Sequence, residues 1–99
     1  MPKIAQRIDP AAEDAYWREN YAREPYYEES RPYEYYAVFY LVGYEGRARS
    51  PGRTFEEAEA DLRAEYERRR TASGPTWDEG RHAVRAAWDR LDHIFPDSD

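Results

Sequence analysis

Two histidines each trail an aspartate by four residues: Asp78 and His82, Asp89 and His93. On a helix that spacing puts carboxylate and imidazole on one face, where they could polarise a substrate or share a divalent cation. Each pair supplies only one histidine, and the two lie eleven residues apart, about three turns. The simpler reading is two solvated histidines on a helix surface, with no metal site. The serines Ser30, Ser50, Ser73 and Ser98 fall in loop-like stretches or the tail, none in a nucleophile elbow. There is no glycine-rich phosphate loop. The carboxylate doublets Glu56-Glu57 and Asp78-Glu79 follow Thr54 and Thr76 at capping-box spacing, so helix capping explains them. The chain has no cysteine and hence no disulfide or thiolate site. The expectation is a non-enzyme with no catalytic residues, cofactor or metal.

The unusual residues are aromatic: 10 Tyr, 3 Trp and 3 Phe in 99 residues. Branched aliphatics are few, so the core must be built from rings, and buried hydroxyls need partners. The stretch Pro32 to Gly46, PYEYYAVFYLVGYEG, is the longest apolar run. As a helix it has two apolar faces. Tyr33, Tyr36, Ala37, Tyr40 and Tyr44 make one; Tyr35, Phe39 and Val42 make the other. Periodicity alone also allows a buried strand.

An internal comparison favours the helix. Residues 54–68, TFEEAEADLRAEYER, and 76–90, TWDEGRHAVRAAWDR, align at an offset of 22. At the same step Tyr33, Tyr40 and Tyr44 align with Phe55, Leu62 and Tyr66 and with Trp77, Val84 and Trp88. A fixed period of this kind is a repeat signature. The fold class is therefore all-α: a small antiparallel helical bundle, three helices related by a repeat of about 22 residues plus an N-terminal helix.

The elements follow from local signals. Asp9-Pro10 starts the first helix, which runs to about Ala22; Ala11, Ala15 and Ala22 line one side with Trp17 and Tyr21 beside them, a side that can lie close against another helix. Residues 23–31 are a connector. The central helix starts near Pro32 and ends by Gly46. The third begins after Thr54, and the fourth runs from Thr76 through Phe95 until Pro96 stops it. Residues 1–99 form one domain, with 1–8 and 96–99 loose.

The net charge is −6, with no strongly basic segment, which argues against a nonspecific nucleic-acid binder. No apolar run reaches membrane-spanning length, and the first residues lack a secretory core, so a cytoplasmic location is expected.

The second central face is one apolar side more than a single core needs. It is covered either by the first helix or by another chain. The candidate partner surface is Tyr26, Tyr27, Tyr35, Phe39 and Val42, and the expected function is protein–protein interaction, with self or another protein. Two alternatives stand beside it: a small-molecule or catalytic pocket among Tyr40, Tyr44, Trp77 and Trp88, and an acidic mimic of nucleic acid.

The pattern from Asp14 to Leu91 has an opening YWREN-Y and PYY (Tyr16 to Tyr21, Pro25 to Tyr27) and a closing AVRAAWDRL (Ala83 to Leu91). It resembles a group of small bacterial proteins without a known activity. The resemblance implies no catalytic residues, and it implies a setting alongside bacterial stress proteins.

Overall fold

The computed structural model describes residues 8–94. Of the expected loose ends at 1–8 and 96–99 only Ile8 is described, and it is half-buried against the core; the rest, with the stripe position Phe95 and the stop at Pro96, lie outside the described residues. Every regular element among the described residues is helical: α1 Pro10–Asn20, a 3-10 turn Tyr21–Arg23, α2 Tyr33–Arg49, α3 Phe55–Arg69 and α4 Trp77–Ile94. The chain is a small all-α bundle, as the periodicity predicts.

Local chemistry sets the boundaries. The Asp9 carboxylate accepts from the Ala11 N–H at 3.0 Å, and Pro10 occupies the first turn, where its missing N–H costs nothing. Thr54 and Glu57 form a reciprocal capping box at the start of α3. At the start of α4, the Thr76 hydroxyl accepts from the Glu79 N–H at 3.3 Å and the Glu79 carboxylate from the Thr76 N–H at 2.9 Å. We expect Thr54→Ala to cost about 1 kcal/mol in urea denaturation, because it strands one first-turn donor.

Helix α2 continues three residues past its expected end at Gly46. Gly46 lies against the Leu62 side chain, inside the packing between α2 and α3. One step later Arg47 is 4% exposed, its guanidinium held by Asp92 of α4. These tertiary contacts override the glycine's helix penalty. The chain then turns through Pro51 and Gly52, whose φ of 77° suits glycine.

α2 is the central element, and both its faces are covered by this chain. The first helix does not dock where the sequence placed it. α1 packs on the Tyr33–Tyr40 face: the Trp17 ring stacks on Tyr40 at 4.3 Å, and the Tyr33 hydroxyl donates to Asp14 at 2.7 Å. Of the expected docking side, Trp17 is buried and Tyr21 packs against the core, whereas Ala11, Ala15 and Ala22 are exposed and Glu13 is buried in their place. The Trp17 ring removes far more apolar area from water than any single alanine of the row, so its position decides the orientation. The opposite face is closed by α3 and α4. Phe39 stacks on Tyr66 at 4.5 Å, and its ring covers Gly80.

All nine stripe positions are buried: Tyr33, Tyr40, Tyr44, Phe55, Leu62, Tyr66, Trp77, Val84 and Trp88. They do not all face one another. Tyr33 and Tyr40 turn towards α1, whereas Tyr66 meets Trp77 at 6.3 Å and Phe55 meets Trp88 edge-on at 5.9 Å.

Candidate functional site

The connector 24–32 is stitched to the bundle by tyrosine hydroxyls. The Tyr26 and Tyr40 hydroxyls are hydrogen-bonded to each other at 2.7 Å, and the Glu28 N–H donates to the Tyr36 hydroxyl at 2.9 Å. The connector's own turns close through Tyr27 N–H to Glu24 carbonyl and Arg31 N–H to Glu28 carbonyl, each 3.0 Å. These bonds fix the Tyr26 and Tyr27 backbone against α2. Burial and that shared bond push the Tyr26 hydroxyl's pKa well above the ordinary phenol value, so it stays protonated. Burial also raises Tyr44, to about 12.

Between this connector and α4 runs an open groove. Its upper hollow, about 590 Å³, is lined by Pro25, Tyr26, Tyr27, Glu28, Glu79 and His82. Its lower hollow, about 520 Å³, shares Pro25, Tyr26 and His82 and continues past Tyr16, Trp17 and Glu24 to Asp89 and Arg90. The Tyr26 and His82 rings face each other across the shared part at 6.4 Å. Tyr16 holds the lower rim, with the Arg90 guanidinium 3.8 Å from its ring centre. Beside the upper hollow Arg31 lies over Tyr35 at 4.2 Å and pairs with Glu28 at 2.7 Å and Glu79 at 3.5 Å.

Three of the five sequence-proposed surface residues, Tyr26, Tyr27 and Tyr35, gather at this edge. Phe39 and Val42 do not: both are 0% exposed. Their face of α2 is closed by α3 and α4, so they are core and not surface. The sequence reading missed Tyr16, Glu24, His82, Asp89 and Arg90 as groove members. Tyr16 had a usable signal, since its neighbour Trp17 lies about 100° away on the helix, and one ring of such a pair must leave the core. The α4 residues had none, because only the fold brings them beside the connector.

The histidines sit apart from any ligand cluster: no group of three His, Cys, Asp or Glu capable of holding a metal occurs among the described residues. Tyr40, Tyr44, Trp77 and Trp88 are all buried. Tyr40 stacks on Trp17, Trp77 lies by Tyr66 and Trp88 by Phe55. Many carboxylates are held by arginines of this chain, including Glu56 by Arg85 at 2.6 Å, Glu45 by Arg69 at 3.3 Å, and Glu59 by Arg81. A row of acids spent this way does not present the bare charge of a phosphate backbone.

Glu13 backs the lower end of the groove. It is 5% exposed and lies 3.5 Å from the Arg90 guanidinium. Burial raises its pKa above 4.5, and Arg90 offsets this only in part. A carboxyl with a raised folded pKa binds its proton more tightly when folded. Ionised Glu13 therefore opposes folding above that raised value and is neutral to it below about 4.5. We expect Glu13→Gln to gain up to about 1 kcal/mol at pH 7, with the gain fading towards pH 4. Urea titrations of both proteins at the two pH values check this; a loss at pH 7 would mean that the pair stabilises the fold.

Comparison with protein-family models, with curated proteins and with solved structures finds no match to the chain.

Proposed function

We propose that the chain is a non-enzymatic protein-interaction module that takes its partner in the groove between the connector and α4. One observation carries this reading. The hydroxyls of Tyr26, Tyr33, Tyr36, Tyr40 and Tyr66 are hydrogen-bonded within the chain. Those of Tyr16 and Tyr27, at the two ends of the groove, have no such bond among the described residues. Rings held in place with free polar tips are what an interface anchor needs, since little side-chain freedom is lost on binding. The partner is another protein chain, a second copy of this one included. The setting is the cytoplasm, and a stress-linked role follows the group that the sequence pattern resembles.

The test is site-specific photo-crosslinking. A photoreactive phenylalanine replaces Tyr27, and in a control protein it replaces Arg63, exposed on α3. Irradiation of cells making each protein should give a discrete adduct from position 27 and none from position 63. No adduct from position 27, or the same pattern from both, contradicts the reading.

A further inference from the structure

We infer that the groove takes an extended, cationic, proline-bearing peptide segment; this rests on the interaction reading above and names the chemistry of its ligand. Length comes first. The α4 wall runs from Glu79 to Arg90, eleven helical steps or about 16 Å, which matches about five residues of polyproline II at 3.1 Å each. The walls are helix α4 and a turn-rich connector, so no free sheet edge exists among the described residues to add a strand to. Tyr27 and Tyr26 line the upper hollow, and Tyr26, Trp17 and Tyr16 line the lower one, where the Arg90 guanidinium covers one face of Tyr16. Successive rings of this kind accept pyrrolidine rings. The free Tyr16 and Tyr27 hydroxyls are placed to donate to the carbonyls of a backbone that forms no hydrogen bonds of its own.

Charge fixes the rest. Four carboxylates line the groove: Glu24, Glu28, Glu79 and Asp89. Against them stand Arg85, shared between Glu56 at 2.6 Å and Asp89 at 3.5 Å, and Arg90, paired with the buried Glu13 at 3.5 Å. Arg31, at the upper end, is shared between Glu28 and Glu79. Glu24 has no cation partner among the described residues; its carboxylate's one hydrogen bond there is from the Tyr26 hydroxyl, at 3.5 Å. The surplus is negative, in a chain of net charge −6, so the complementary ligand carries lysine or arginine.

Fluorescence anisotropy of the full chain tests this against three dye-labelled nonapeptides, made of three Lys-Pro-Pro, three Glu-Pro-Pro or three Lys-Gly-Gly triplets. The Lys-Pro-Pro peptide should bind about tenfold more tightly than either other. Glu24→Lys and Tyr27→Ala should each weaken it by about tenfold, with thermal melts showing both variants folded. Equal binding of the Lys-Gly-Gly peptide overturns the proline requirement. No binding of any peptide, or binding indifferent to both variants, overturns the proposal. So does a position-27 crosslinked product of twice the chain's mass, which would place a second copy in the groove. In that last case the interaction reading survives and only the ligand class falls; absence of both peptide binding and crosslinking removes both.

Discussion

Replacing Gly43 by alanine will destabilise the protein by about 2 kcal/mol, although the same exchange in an isolated helix stabilises it by about 1 kcal/mol. Gly43 lies where α2 crosses α4. A Cβ built there would stand 2.8 Å from the Ala87 Cβ and closer still to the Val84 carbonyl oxygen. The nearer of these is a backbone atom of Val84, as is the third neighbour, the Val84 carbonyl carbon, so relief requires α4 to move away from α2 as a body. Such a shift would loosen Val84, Ala87 and Trp88, all 0% exposed. The overpacking term therefore exceeds the propensity gain. Urea denaturation of the two proteins decides it. A midpoint at or above the parent's would mean that the helices do not approach this closely.

Truncating Trp88 to alanine will cost about 4 kcal/mol, within reach of the whole stability of a small domain. Its ring is 0% exposed, meets Phe55 edge-on at 5.9 Å and has the Arg47 guanidinium 5.9 Å from its centre. Removing it opens a cavity at the junction of α2, α3 and α4. Its indole N–H has no hydrogen-bond partner among the described residues, so Trp88→Phe removes an unsatisfied donor together with part of the ring and should cost less than half as much. Thermal melts of the three proteins should rank them parent, phenylalanine, alanine. A fully folded alanine variant with an unchanged melt would show that this core is not held by its rings.

The helices were legible because their signals are local. Thr54–Glu57 and Thr76–Glu79 mark two starts, and Asp9-Pro10 a third. The face of α2 on which each ring lies was legible too, since period fixes direction. Which helix covers which face was not. That choice depends on which face of α2 the rings of α1 meet, and Trp17 stacks on Tyr40 while the alanines stay exposed. The end of α2 was misplaced for a related reason. Arg47 and Asp92 are 45 residues apart, and no local pattern announces their pairing. The groove was half visible. Tyr26, Tyr27 and Tyr35 stood out as rings in or beside a charged segment. The opposite wall of Glu79, His82, Asp89 and Arg90 reads as an ordinary solvated helix face until the fold lays the connector beside it.

Both faces of α2 are enclosed by its own chain, so the proposed partner site lies at the groove and not on α2. Amide hydrogen exchange, followed at several dilutions, tests that enclosure directly. The account predicts that the amides of Tyr36 to Arg47 are the slowest to exchange and that their protection does not change with protein concentration. Protection of Phe39 to Gly46 that collapses on dilution would contradict it, because that face would then owe its burial to a second chain.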